Sequence, residues 1–280
     1  SDLKQISNLP LMPKGNMPYD GGNLSLSEQE KEKLINDYPE STKFIKKLIG
    51  AEEFLDGKQR FCLWLSNKNL NDALKIEPIK TRIENVKNMR LSSTDKAAHK
   101  LAERAHQFRE TNETTTSSLI IPLTTSERRV YIPLGFVNSE YIATNAVSVI
   151  YDAEPWIFGV ISSLMHMAWV RAVGGSLETR IRYSSVLCYN TFPFPNISQK
   201  QKDEITELVF AILDEREKHS QKTLAQLYDP DKMPEGLKKA HHNLDIAIEQ
   251  CYRSKPFESD EERLEYLFKM YEEMTNKEEK

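Results

Sequence analysis

A length of 280 residues with 39% apolar and 29% charged side chains provides material for one large core or two modest ones, and excludes an intrinsically disordered polymer. The net charge of -4 withholds the overall basic footprint of many nucleic-acid binders. The apolar run from Ile157 to Val173 is broken by Ser162, Ser163 and His166, so it falls short of the roughly 20 clean residues that a membrane span needs.

Pro10, Pro13, Gly15, Pro18, Gly21 and Gly22 make residues 1–26 read as an extended arm entering from an upstream domain. Ser27 and Glu30 form a candidate capping box for a helix that ends near Pro39. A second short helix is expected over Glu40 to Ile49, stopped by Gly50, and a buried strand over Arg60 to Leu65. Ile76, Ile79, Ile83 and Val86, then Ala97, Ala98, Leu101, Ala105 and Phe108, keep helical spacing. Both helices are basic outside, since Lys58 to Arg109 is richer in cations than in acids.

From Ser117 to Ile150 the texture becomes β-branched, with strands expected at Ser118 to Leu123, Arg129 to Leu134 and Ala146 to Tyr151. An apolar helix follows over Ala153 to Val173, closed by a left-handed cap at Gly174-Gly175. Ser176 to Tyr189 then alternates, with Leu177, Thr179, Ile181 and Tyr183 on one side and Glu178, Arg180 and Arg182 on the other, the period of an exposed strand. Thr191 to Pro195 cannot continue a central strand and reads as a sharp aromatic junction. Helices are expected over Ser198 to Lys218, Leu237 to Tyr252 and Glu261 to Met274. The fold class is α+β: a mixed domain over 27–195 with a small sheet and several helices, followed by an all-helical subdomain over 196–280.

Catalytic chemistry is hard to assemble from these residues. No glycine-rich turn has the spacing of a nucleotide cradle, no two prolines are adjacent as in an Asn/Asp-Pro-Pro-aromatic loop, and no nucleophile elbow frames a serine. His241 and His242 point about 100° apart on a helix, so with Asp245 they make a poor metal set and no metal is expected. Cys62, Cys188 and Cys251 are read as reduced core thiols. With no secretory leader the cytoplasm is the expected compartment, and a start at Ser1 suggests a processed or excised piece.

Three stretches resemble the target-recognition region of MmeI-like, type IIL restriction-modification DNA methyltransferases: Ser126 to Pro133, Gly174 to Ser184, and Tyr189 to Pro195. Met17 to Asn23 and Asp231 to His241 also look like that family. The resemblance implies a sequence-reading domain plus a helical C-terminal domain. In the parent polypeptide they follow a methyltransferase domain that binds S-adenosylmethionine and methylates adenine, often with a fused nuclease. The partners it implies are double-stranded DNA and that upstream domain, with no membrane, and it implies no cofactor or catalytic residue in this stretch.

By the same resemblance, the base-reading positions carry over to Glu178, Arg180 and Arg182 and to Asn145 with Ala146. Arginine can donate twice to guanine and glutamate can accept from cytosine. On pattern alone, a solvated strand face with a Glu-Arg pair is the plainer reading, and the resemblance turns it toward base readout. Arg128, Arg129, Lys80, Arg82, Lys87 and Arg90 are candidate phosphate contacts, a solvated helix face being the alternative for those at 80–90. A competing expectation is a helical protein-interaction module without base readout, distinguished by weak salt dependence.

Overall fold

The computed structural model describes residues 4–177 and 180–278. From the N-terminus its elements are β1 (Ser25–Leu26), α1 (Glu28–Asp37), β2 (Ile45–Ile49), α2 (Ala51–Asp56), β3 (Phe61–Leu63), α3 (Leu70–Ala73), α4 (Glu77–Leu91) and α5 (Lys96–Leu101). Then come β4 (Ser117–Pro122), β5 (Thr124–Ser126), β6 (Gly135–Asn138), β7 (Tyr141–Ala143), β8 (Val147–Tyr151), α6 (Pro155–Ser162) and α7 (Leu164–Val173). The remainder is β9 (Gly175–Leu177), β10 (Arg180–Arg182), α8 (Gln199–Glu217), α9 (Leu224–Leu227), α10 (Glu235–Tyr252) and α11 (Asp260–Glu278). The fold is mixed α+β with a helical C-terminal region, as the sequence implied.

These elements form two compact units, each assembled from separate stretches: residues 14–116 with 137–147, and residues 1–13, 117–136 and 148–280. The stretch read as a loose arm contributes to both cores. Leu9 and Met12 are buried in one unit and Leu24 and Leu26 in the other, so their apolar side chains tie the segment down.

In the unit of residues 14–116 and 137–147, a four-stranded sheet runs β1-β3-β2-β7, antiparallel except for the parallel β2-β7 pair. The expected helix over 40–49 is instead a 3-10 turn, Pro39–Phe44, leading into β2. Ile45, Leu48 and Ile49 find partners in Leu63, Ile142 and Ala143 of the flanking strands, and those non-local pairings override the local pattern. Ser27 caps α1 by the expected box, its side chain accepting from Glu30 N and its own N–H donating to the Glu30 carboxylate.

In the other unit, β5-β10-β9 form one sheet and β6-β4-β8 another, and helices α6 to α8 and α10 bury their apolar faces together. The single apolar helix expected over 153–173 is two helices bent by 56° at Ser163, whose hydroxyl caps α7 by accepting from His166 N. No single described helix is long and apolar enough to cross a membrane. Residues 129–134, expected as a strand, form a loop: Pro133 has no N–H to give a ladder, and Tyr131 and Ile132 enter the core singly.

The aromatic junction packs as expected. Phe192 and Phe194 are buried, Phe194 stacks on Trp156, and Tyr252 of α10 donates to the Pro193 carbonyl at 2.9 Å. Cys62 and Cys188 are buried free thiols and Cys251 is half-buried; burial raises their pKa to about 12, 11 and 11.

Candidate nucleic-acid interface

The alternating segment after α7 is a hairpin and not one long strand. β9 and β10 pair antiparallel with Leu177 opposite Arg180, and β10 continues the sheet onto β5, with Arg180 opposite Ser126 and Arg182 opposite Thr124. Glu178 and Thr179 lie outside the described residues. Alternation holds within β10 itself. Arg180 and Arg182 are exposed, while Ile181 between them packs on the core opposite the buried Thr125. The cross-strand neighbours of Arg180 and Arg182 on β5 are short, Ser126 and Thr124.

Two features hold this strand in place. Tyr183, buried directly after β10, makes a 3.0 Å hydrogen bond with His166 Nε2 of α7, and its N–H donates to the Leu123 carbonyl. Burial pushes the His166 pKa down to about 3, which favours the neutral ring in that bond. At the hairpin's other end Gly174 is extended (φ -70, ψ 148), which corrects the expected left-handed cap. α7 runs straight into β9 without reversing. The glycine is needed for another reason: a Cβ there would lie 2.4 Å from the Val170 carbonyl oxygen.

Arg128 and Arg129 follow β5 on a fixed loop. Arg128 pairs with Asp231 at 2.6 Å and is exposed, and the Arg129 carbonyl accepts from Arg171, which also meets Asp260. Asn145 and Ala146 belong to the other unit, where they are the exposed centre of a turn closed by a 3.1 Å bond from Val147 N to Thr144 O. Lys80, Arg82, Lys87 and Arg90 all lie on α4 in that same unit.

The α4 set does not survive intact. Lys87 is exposed and Lys80 half-buried, 3.6 Å from Glu77. Arg82, however, donates to the Asn23 and Ser25 carbonyls and pairs with Glu30 at 2.6 Å. Arg90 is fully buried, donating to the carbonyls of Tyr19, Leu101, Arg104, Pro18 and Gln107. Arg90 is therefore an internal staple and leaves the phosphate set, while Arg82 serves mainly to hold β1 and α1 against α4. Arg90 continues the helical stripe of Ile79, Ile83 and Val86, and that spacing is the signal from which its inward side could have been read.

Among the described residues no cluster of His, Cys, Asp or Glu could hold a metal. His241 is buried, bonded to the Tyr228 hydroxyl at 2.7 Å and stacked on Tyr131, while His242 is exposed. A strand-glycine-helix turn does occur at Gly50, between β2 and α2. There the Glu53 carboxylate occupies the helix N-terminus, accepting from Gly50 N at 2.7 Å and pairing with Arg60.

Each unit carries candidate residues of its own, Arg180 and Arg182 on β10 in one and Asn145 with Ala146 on a turn in the other. The sequence profile described as MmeI, target recognition domain, matches residues 1–196, and that described as MmeI, C-terminal domain, matches residues 197–278. The chain belongs to the MmeI family. It is 49% identical over 278 residues to DNA methyltransferase A of Bacillus subtilis (strain 168), covering 99% of this chain and 31% of that protein. A solved structure of the type IIL restriction-modification enzyme MmeI in complex with DNA superposes with a TM-score of 0.92 at 40% identity, covering 98% of this chain and 36% of the other. The chain thus spans about a third of the length of these relatives.

Proposed function

We propose that the chain reads a base sequence in duplex DNA, as the target-recognition part of an adenine-specific, S-adenosylmethionine-dependent DNA methyltransferase of a restriction-modification system. The observation that carries this reading is β10, a strand whose inward residue Ile181 packs on the core opposite the buried Thr125 of β5 while Arg180 and Arg182 are exposed. The support from relatives is that MmeI, at 40% identity, has been solved on DNA. Arginine on a rigid strand can donate two bonds to guanine O6 and N7 in the major groove, discriminating by about 1–3 kcal/mol per pair. Asn145 has the amide that matches adenine N6 and N7, and Ala146 offers a methyl contact. Arg128, Arg129, Lys80 and Lys87 then position the duplex through phosphates without reading it.

On this reading Glu178 takes part in base discrimination beside Arg180. Methyl transfer belongs to an upstream domain of the same polypeptide, which binds the S-adenosylmethionine that supplies the methyl group, and the protein works in the cytoplasm with the cell's DNA. The test uses the full-length polypeptide on a randomised duplex library, mapping the methylated motif for wild type and a Glu178/Arg180 double exchange. A change at one base position with methylation retained supports the reading. An unchanged motif with full activity refutes it for this strand.

A further inference from the structure

Asn16 is a buried polar residue with no part in the interface described so far, and its hydrogen bonds join two places, the turn at 143–145 and the backbone of Asn112. Its backbone N–H donates to Ala143 O at 2.8 Å, and its own carbonyl accepts from Asn145 N at 3.0 Å. Its side-chain amide donates to Ala143 O at 3.2 Å and to Asn112 O at 2.9 Å, while its Oδ1 accepts from Asn112 N at 2.8 Å. Next to it, Gly15 N donates to Val147 O at 3.0 Å. A Cβ at position 15 would stand 2.3 Å from Thr144 O and 2.7 Å from Ala143 O, so only glycine lets the strand pass this close.

The segment held this way is the turn that carries Asn145 and Ala146. Thr144 N donates to Ile49 O at 2.8 Å, Asn145 N to Asn16, and Val147 N to Thr144 O. The two side chains are exposed while the backbone beneath them is tied at successive positions. A contact that tells one base from another must be held to about 0.5 Å, and two exposed residues on an unsupported turn would not keep that geometry.

We propose that Asn16, with Gly15, is a positioning residue for base discrimination: it fixes the turn that presents Asn145 and Ala146 and so sharpens the choice of one base pair without touching DNA. The proposal rests on the reading that Asn145 and Ala146 face a base. Asn16→Asp is the sharpest variant, because it keeps the shape and the acceptor but sets a carboxylate oxygen against the Ala143 and Asn112 carbonyls. Asn16→Ser is milder, retaining both backbone bonds and a shorter hydroxyl. Gly15→Ala attacks the same turn from the backbone side.

Each variant of the full-length polypeptide is assayed by sequencing methylated products from a randomised duplex library, with melting temperature measured in parallel. An Asn145/Ala146 exchange identifies the base pair that the turn reads. The proposal expects Asn16→Asp, or Asn16→Ser if the first does not fold, to lower discrimination at that pair about tenfold while the other positions stay sharp. Asp20→Ala is the control: Asp20 is an equally buried brace in the same unit, accepting from Gly22, Leu24 and Ser25 N–H groups away from the turn. If the exchange alters one position and Asn16→Ser leaves that position sharp, the proposal is wrong. It is equally wrong if Asp20→Ala broadens the same position, since loosening of the unit alone would then suffice. If the exchange alters nothing, the turn reads no base, and the underlying reading falls first.

Discussion

Arg90 continues the apolar stripe of Ile79, Ile83 and Val86 while Lys87 lies off it, yet that spacing does not say whether an arginine so placed finds partners inside. Burial does. The Arg90 guanidinium satisfies five carbonyls that would otherwise be stranded, so Arg90→Met should destabilise its unit by about 3–5 kcal/mol, read as a lowered denaturation midpoint. Arg90→Lys should recover little, because one ammonium cannot span the fork. The residues best legible in the sequence were those whose surroundings are local, such as the Ser27-Glu30 cap and the outward Arg180 and Arg182 flanking Ile181. Asn16 was illegible because its partners, Ala143 and Asn112, are distant in the chain and its neighbourhood reads as a polar arm.

Helix breaks and strand assignments depended on such distant partners as well. Periodicity over 153–173 is continuous, yet Ser163 divides it, and Asp245 of α10 supports the break by accepting from Leu164 N at 2.8 Å and from the Tyr131 hydroxyl at 2.7 Å. Burial raises the Asp245 pKa from 3.8 to about 7, outweighing the hydrogen bonds from Leu164 and Tyr131 that lower it, with Glu249 adding to the rise and Arg263 opposing it. Between those values the folded protein keeps a proton that the unfolded chain has released, so this group makes stability fall as pH rises from about 4 to about 7 and level off above. The stability difference between wild type and Asp245→Asn, taken from denaturant midpoints across that window, should therefore fall by a few kcal/mol as pH rises, because the buried neutral His166 and His241 contribute the same upward slope to both proteins. A carboxylate fully charged in the fold would give no such difference. In the same way β2 could not be told from a helix over 40–49, since what decides it is pairing with β3 and β7.

For the molecule as a whole, α+β content, the helical C-terminal region and the family were legible, while the interleaving of stretches into two compact units was not. A chain that returns to a unit after a long excursion leaves no mark at the crossing points. If the protein binds DNA as proposed, affinity should fall steeply with salt, and loss of one phosphate contact should lower the log-log slope by about 0.9. Arg128→Ala and Lys87→Ala should each shrink that slope and weaken all sequences alike, whereas Arg180→Ala should change which sequence is preferred. A slope that none of these substitutions moves would remove the phosphate assignments.

On the proposed reading, the exposure of Arg180, Arg182, Asn145 and Ala146, set beside the burial of Tyr183, Thr125, Ala143 and Thr144, separates what is read from what is folded. Mutation at the outer set costs the core almost nothing, so new preferences can arise by drift without passing through an unfolded ancestor. A library randomised at the outer positions should therefore yield mostly soluble protein with scattered target motifs, while one randomised at the inner positions should yield mostly aggregates. In such a protein the freedom to change its target is a property of burial.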